Sequence, residues 1–193
     1  SCSLITHRTS PQTGSLPYSG PARLPLGRTS NLGTGLVSNA FVLLGLAETF
    51  TLSTNDLDMA WMRASATAHP DAGGSVDHAA RLNEAREVLA HPEKRANLRL
   101  DMLGGPSAEQ DQRLPDGFLM EMLELREKID AEIEAEGMAA TDRWRSWADS
   151  ERERAYSKIA PVLDAASASG DERCAVRMGL NRGRYLERLR EQL

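Results

Sequence analysis

His69, Pro70 and Asp71 stand together in a short polar segment, and their side chains are the ones in this chain best suited to chemistry. A histidine beside an aspartate could serve as an acid–base pair or supply ligands to a metal ion. Either use needs a second convergent cluster, yet His78 and His91 show no partnering pattern and no recurring ligand spacing. We therefore expect no catalytic residue, no metal site and no cofactor.

Two predicted helices flank this segment. Apolar residues recur at helical spacing on both sides, as Leu57, Trp61, Ala64 and Ala68 before it and Leu82, Ala85 and Leu89 after it. Pro70 ends the first helix because it lacks an amide hydrogen, and Asp71, Gly73 and Gly74 supply a turn. Polar groups on a turn between two helices are exposed on a rigid mount, which favours recognition of a partner.

The composition of the whole chain limits the classes of function. The 193 residues are 40% hydrophobic and 26% charged with a net charge of −5, which predicts a globular protein and argues against a general nucleic-acid binder. Cys2 and Cys174 are too few and too far apart for a disulfide framework or a four-thiolate metal site. No apolar run reaches the length of a membrane span, so we expect no membrane partner.

Residues 1–37 differ from the remainder of the chain. They are rich in Ser, Thr, Gly and Pro, carry Arg8, Arg23 and Arg28, and contain no acidic residue. Such a segment cannot bury enough apolar surface to order itself, so we expect a disordered extension on a cytoplasmic protein. Organelle transit peptides share this composition, and a targeting segment would instead place the protein in the mitochondrial matrix.

From residue 39 onward the pattern predicts helices and no strand, so the fold class is all-α. Four helices are expected in the first half, at about 40–46, from an N-cap at Ser53 to 68, at 76–90 and at 92–103. Residues 104–115 form a polar linker, where we place a domain boundary between 38–103 and 116–193. The second half predicts helices at 116–136, 141–166 and 171–193, packed as an antiparallel three-helix bundle.

The helix that begins near residue 116 has two apolar faces. Its core stripe consists of Phe118, Met122, Leu125, Ile129 and Ile133. Leu119, Met120 and Leu123 lie off that stripe, and Glu121, Glu124 and Glu127 surround them. An apolar patch framed by acids beside a sufficient core stripe indicates a docking surface. The alternative is a helix that is buried on one wide face.

The last predicted helix is rich in arginine, with Arg173, Arg177, Arg182, Arg184, Arg188 and Arg190. Its charge is opposite to that of the acidic helix, so charge matching within the bundle explains it better than nucleic-acid binding does. Cys174 lies among apolar positions of this helix and is expected to be a small buried residue.

Together these residues resemble the J-domain co-chaperones, and specifically the HscB type that serves iron–sulfur cluster assembly. The resemblance covers most of the chain from Asn39 to Leu193, and His69-Pro70-Asp71 matches the J-domain signature. The stretch from Phe118 to Glu127 is very similar to the opening of the HscB C-terminal domain, which ordinary J-proteins lack. The motif Tyr185-Leu186-Glu187-Arg188-Leu189 resembles the aromatic-containing motif of that domain's last helix.

The resemblance implies a fold in which an N-terminal J-domain helical hairpin is joined to the C-terminal three-helix bundle. It also implies two protein partners. A DnaK/HscA-type ATPase chaperone would bind His69, Pro70 and Asp71, with Arg63 as the basic residue of the preceding helix. An IscU-type iron–sulfur scaffold would bind the C-terminal bundle. The residues that this implies are Leu119, Met120, Leu123, Glu124, Glu127 and Tyr185.

The J-domain part departs from the family pattern in its charges. Ala60, Ala66 and Ala72 stand where the family usually has basic residues, so weaker electrostatic steering of the chaperone is expected. Partial compensation could come from Arg81, Arg86, Lys94 and Arg95. An alternative function is a general J-domain co-chaperone for unfolded clients, which would explain the tripeptide but not the helix at Phe118.

Overall fold

The structure is a computed structural model that describes residues 40–68 and 75–193. The predicted extension at 1–37 and the His69-Pro70-Asp71 segment lie outside the described residues. The described part forms helices α1 (Ala40–Leu44), α2 (Thr54–Ala68), α3 (Val76–Ala90), α4 (Pro92–Met102), α5 (Phe118–Glu136), α6 (Met138–Asp164) and α7 (Gly170–Gln192), and it contains no strand. None of its helices combines the length and the apolar character needed to cross a bilayer.

Helices α2 and α3 form an antiparallel hairpin. Trp61 Nε1 donates to Asn83 Oδ1 at 3.0 Å, and Arg86 pairs with Asp58 at 2.8 Å, so contacts advance along one helix as they recede along the other. The predicted N-cap is present, since Ser53 Oγ accepts from the Asp56 amide at 3.0 Å. The core beneath the hairpin is one cluster that contains Phe41, Leu44, Leu57, Ala60, Leu82, Ala85, Leu89 and Leu98.

Helices α6 and α7 form the centre of the second half. Their backbones approach closely at Gly179, where an added Cβ would lie 2.7 Å from Ile159 Cγ2. A capping box begins α7, with Ser169 and Glu172 exchanging hydrogen bonds. Helix α6 begins at Met138, three residues before the predicted start at Thr141, because Gly137 alone reverses the chain at a φ of 63°. The helix then continues through Pro161 to Asp164.

The two halves share a core. Phe50 and α4 contribute to one buried cluster with α6 and α7, made of Phe50, Ala96, Leu100, Ile159, Leu163, Val176 and Leu180. Asp164 accepts from the amides of Phe50 and Thr51 at 2.5 and 3.1 Å, and Arg99 Nε donates to the Leu163 carbonyl at 3.0 Å. The helical hairpin is therefore attached to the bundle through packing as well as through the chain.

The segment 104–115, expected to be a polar linker, lies against α7. Asn181 Nδ2 donates to the carbonyls of Asp111 and Arg113 at 3.0 and 2.9 Å, and Arg173 donates to the Leu103 carbonyl at 2.8 Å. Asp111 is buried and pairs with Arg113 at 2.6 Å, and the hydrogen bond from Arg113 lowers the pKa of Asp111. These bonds fix the course of the segment over the bundle.

Candidate partner-binding surfaces

The core stripe predicted on α5 is confirmed. Phe118, Met122 and Ile129 are buried, while Leu125 and Ile133 are half-buried. The Phe118 ring meets the Tyr185 ring edge-on with 5.3 Å between the centroids, and Leu186 of α7 completes this cluster. Burial of this stripe fixes which face of α5 is directed away from the bundle.

Leu119, Met120 and Leu123 lie on that outward face, with 60%, 63% and 56% of their surface exposed. Glu124 and Glu127 are exposed beside them. We call these five residues the α5 patch. The alternative of a single wide buried face is wrong, because three large apolar side chains remain in contact with solvent next to a core stripe that is complete without them.

The far end of α5 is held against α6 by a polar cluster. Arg143 pairs with Glu132 at 2.7 Å and with Glu136 at 2.9 Å, and Trp144 Nε1 donates to Glu132 at 3.0 Å. The hydrogen bond from Arg143 holds the pKa of Glu132 below its usual value. With apolar packing at Phe118 and this cluster at the other end, α5 is positioned along its whole length.

Tyr185 lies next to the patch in the fold. It is half-buried on α7, and its ring packs against Phe118, the residue that precedes Leu119 in the chain. The Arg182 guanidinium lies over the Phe118 ring at 5.4 Å from its centroid. The structure therefore brings Tyr185 to the same end of the bundle as the α5 patch. In the sequence, only the resemblance of the motif at residues 185–189 connected Tyr185 with that patch.

The expected charge matching within the bundle is present, but it does not join α7 to the acidic helix α5. The α7 arginines pair with α6 and α4 instead, as Arg182 with Glu151 at 3.1 Å, Arg190 with Asp149 at 2.8 Å and Arg184 with Glu93 at 2.7 Å. Helix α5 meets α7 through apolar side chains, as in the cluster of Phe118, Met122 and Leu186. Within the described ranges no ion pair engages Glu121, Glu124 or Glu127, so their charges face solvent.

Of the predicted chaperone-binding residues, only Arg63 lies in the described part of the chain. It is exposed near the end of α2, and its Nε donates to the Met59 carbonyl at 3.3 Å. His69, Pro70 and Asp71 belong to the segment between α2 and α3, and the hairpin contacts described above fix the two helices that this segment connects.

Arg63 is the basic residue of α2, and two large apolar side chains are exposed beside it. Ala60 is buried in the hairpin core with 1% exposure, so the expectation that it replaces a basic surface residue is wrong. The exposed residues next to Arg63 are Met59 and Met62, with exposures of 52% and 60%. Sequence reasoning missed these two methionines, although their spacing places them opposite Leu57 on a helical projection.

Three of the basic residues expected to compensate are engaged within the fold. Arg86 pairs with Asp58 and lies over the Trp61 ring at 4.8 Å, and Lys94 pairs with Glu87 at 2.5 Å. Arg95 is half-buried, where it donates to the Phe50 carbonyl at 2.8 Å, and its burial lowers its pKa. Arg81 is exposed.

The part of the chain that the structure describes holds no group of three or more His, Cys, Asp or Glu side chains arranged to bind a metal ion. Cys174 is a free thiol that is half-buried, so it is less buried than expected.

Comparison with known proteins gives a consistent set of relatives. No family model matches the chain. It is 33% identical over 137 residues to the co-chaperone protein HscB homolog of Paraburkholderia phymatum, covering 66% of this chain and 78% of that protein. The homolog from Burkholderia mallei is 31% identical over 145 residues, covering 70% of this chain and 83% of that protein.

Two solved structures have the same fold. Chaperone HscB from Vibrio cholerae superimposes with a TM-score of 0.65 at 24% identity, covering 80% of this chain and 95% of that one. Human co-chaperone protein HscB gives a TM-score of 0.63 at 21% identity, with coverages of 91% and 92%. The predicted fold class is thereby confirmed as all-α, with an N-terminal J-domain hairpin joined to a C-terminal three-helix bundle.

Proposed function

The chain belongs to the HscB family of co-chaperones, and on that premise we propose that it is an adaptor between two proteins of iron–sulfur cluster assembly. It stimulates ATP hydrolysis by a DnaK/HscA-type chaperone and delivers to that chaperone an IscU-type scaffold, which aids cluster maturation and transfer. The chain itself catalyses no reaction in this proposal, since the hydrolysed ATP is bound by its partner.

The observation that carries the proposal is the α5 patch. Leu119, Met120 and Leu123 are each more than half exposed and lie together on a helix whose core contacts are already satisfied. Full burial of one such side chain against a partner contributes about 1.5–3 kcal/mol. The exposed carboxylates of Glu124 and Glu127 add a rim that selects a partner with basic or amide groups. We propose these five residues and Tyr185 as the scaffold-binding surface.

The proposed chaperone-binding surface belongs to the hairpin part of the chain. His69, Pro70 and Asp71 connect α2 to α3, and Arg63 lies in the last turns of α2 before them. The hairpin is held by the Trp61–Asn83 hydrogen bond and the Arg86–Asp58 pair, which gives the connecting segment a fixed base. A fixed base favours recognition because less conformational entropy is lost when the partner binds.

The shared core between the two halves supports delivery by the same molecule. Leu100 of α4 packs in one cluster with Leu163 and Leu180 of the bundle, so the two surfaces belong to one body. A scaffold bound to the α5 patch is then presented to the bound chaperone at a raised effective concentration. We place this activity in the cytoplasm, as the bacterial origin of the relatives suggests, or in the mitochondrial matrix if residues 1–37 are a transit peptide.

Scaffold binding is tested with a Leu119→Ala/Leu123→Ala variant. Truncating two central apolar contacts of an interface costs about 1–2 kcal/mol each, so calorimetry with the IscU-type scaffold should show binding at least about 30-fold weaker. Circular dichroism and the thermal midpoint should match those of the parent because both leucines are exposed.

The matched control is a Val76→Ala/Met138→Ala variant, which truncates two exposed apolar residues, 74% and 72% accessible, away from the patch. Its scaffold affinity should equal that of the parent. If the patch variant also binds the scaffold with unchanged affinity, the assignment of the patch is wrong. Retained binding of unfolded clients by both variants would then favour a general J-domain co-chaperone.

A further inference from the structure

A cavity of about 620 Å³ lies where the J-domain part, the 104–115 segment and the bundle meet. Its walls come from α3 and α4, from the 104–115 segment and from α7. Val88, Leu98 and Pro106 make up much of its apolar lining, and Asn97 and Arg177 supply polar groups. Cavities of this size with mostly apolar walls and a few polar groups are typical of small-molecule sites.

Arg177 is the unusual group in this cavity, because it is charged and only 1% exposed. Its Nη1 donates to Asn97 Oδ1 at 2.7 Å, whereas Nε and Nη2 have no hydrogen-bond partner in the described part of the chain. Burial, followed by the nearby Arg184, lowers the pKa of Arg177. A buried cation without a carboxylate partner destabilises a fold by several kcal/mol, so such a residue needs an explanation.

The two carboxylates that interact electrostatically with Arg177, those of Glu93 and Asp111, are already paired with other cations. Glu93 accepts from Arg184 at 2.7 Å, and Asp111 pairs with Arg113 at 2.6 Å. Lys94 pairs with Glu87 at 2.5 Å and Arg184 pairs with Glu93, so Arg177 is the cation of the lining that has no ion-pair partner among the described residues. The cavity therefore favours a ligand with a single negative charge.

The walls of the cavity are fixed by close packing. Gly105 approaches α4 so closely that an added Cβ would lie 2.2 Å from Leu100 Cδ1, and its amide donates to the Leu100 carbonyl at 2.8 Å. Asn97 is oriented by a hydrogen bond from its Nδ2 to the Glu93 carbonyl at 2.8 Å, which turns its oxygen towards Arg177. A ligand would thus enter a site that is already formed, which limits the entropy lost on binding.

We propose that this cavity binds a small organic acid, with its carboxylate beside Arg177 and its apolar body against Val88, Leu98 and Pro106. A guanidinium forms charge-assisted hydrogen bonds with a carboxylate and so compensates the buried charge. A phosphate is disfavoured because its second charge would face Glu93 and Asp101, and because the apolar walls would gain no contact. The site lies between the J-domain part and the bundle, so an acid bound there stabilises their attachment.

The test uses octanoate as the probe and octanamide as its uncharged match. In calorimetry with the full chain, octanoate should bind at one site at least about tenfold more tightly than octanamide, since a charge-assisted hydrogen bond contributes more than a neutral one. Octanoate should also raise the thermal midpoint of the protein. Equal binding of the two compounds, or no saturable binding of octanoate, would overturn the proposal.

Two variants locate the binding. Arg177→Met should stay folded, because an apolar side chain of similar volume replaces an uncompensated buried charge, and it should lose the preference for octanoate. Arg188→Met, an exposed residue of the same helix, is the control and should bind octanoate as the parent does. If Arg177→Met does not fold, Ala108→Trp is the test variant, because its indole fills the cavity from the rim and should abolish octanoate binding. A preference for octanoate over octanamide that survives in Arg177→Met, or octanoate binding that survives in Ala108→Trp, contradicts the site.

Discussion

Phe118 and Leu119 are neighbours in the chain with opposite environments. Phe118 is 2% exposed against Tyr185 and Leu186, and Leu119 is 60% exposed on the α5 patch. Successive residues of a helix point about 100° apart, so one of them can belong to the core and the next to a binding surface. Whether a residue of α5 belongs to the core or to the binding surface is therefore decided by its position on the helix.

The two residues should respond differently to truncation. Phe118→Ala removes a buried ring and should lower the free energy of unfolding by about 3–5 kcal/mol, measured by urea denaturation. Leu119→Ala should change it by less than about 0.5 kcal/mol, because its side chain is largely in water already. A destabilisation of similar size in both variants would mean that Leu119 is part of the core.

For single residues, the sequence predicted the apolar core stripe of α5 correctly but did not predict that Arg177 is buried. The stripe follows from helical periodicity, which is local, so Phe118 and Leu119 could be assigned from spacing alone. The burial of Arg177 depends on α4 and the 104–115 segment packing over α7. The burial of Ala60 was within reach of the sequence, because Ala60 lies three residues after Leu57 and four before Ala64 on the apolar stripe of α2; the family resemblance, and not the spacing, placed it at the surface.

Among the elements, α2 has the most unexpected surface. Its outer face carries Met59 and Met62 beside Arg63, where the family resemblance predicts more basic residues. Methionine is flexible and polarisable, and it adapts to different apolar surfaces of a partner. A face of this kind favours short-range contact over long-range electrostatic steering.

The binding of the proposed ATPase chaperone should consequently depend only weakly on salt. Stimulation of its ATPase by the parent protein should change little between low and high ionic strength, because exposed charge pairs are the interactions that salt screens. A Met59→Ala/Met62→Ala variant should stimulate less at every salt concentration. Val42→Ala, which truncates an exposed residue of α1, is the control. A steep loss of stimulation with salt in the parent would contradict this account of α2.

The ends of the elements could be predicted where a side chain marks them. Ser53 and Pro92 mark helix starts through local hydrogen bonding or backbone restriction, and the structure agrees at both. The start of α6 could not be placed from the sequence, because a single glycine at positive φ reverses the chain between α5 and α6. A longer connection was expected from the residues between 137 and 141.

For the whole molecule, the attachment of the J-domain part to the bundle is the central structural feature. Asp164 at the end of α6 accepts hydrogen bonds from the amides of Phe50 and Thr51, and Arg99 donates to carbonyls of the same helix end. The sequence predicted two helical units separated by a polar linker. It could not predict this attachment, because the residues involved are separated by 64 to 114 positions in the chain.

Loss of the Asp164 contacts should weaken the whole molecule. Asp164→Ala leaves two backbone amides without their acceptor, which costs about 1–3 kcal/mol of unfolding free energy in thermal or urea denaturation. Asp149→Ala is the matched control, since Asp149 forms only surface ion pairs with Arg152 and Arg190, worth less than about 1 kcal/mol. An Asp164 variant as stable as this control would show that the attachment contributes little.

Activation of a chaperone by this chain is the central part of the proposed function. The most direct measurement is the steady-state ATPase rate of the cognate DnaK-type chaperone with this protein and the IscU-type scaffold. The parent should raise that rate, and His69→Gln, which removes the imidazole of the J-domain signature, should leave it near the rate without co-chaperone while binding the scaffold normally. A His69→Gln variant that stimulates as strongly as the parent would contradict the proposed function.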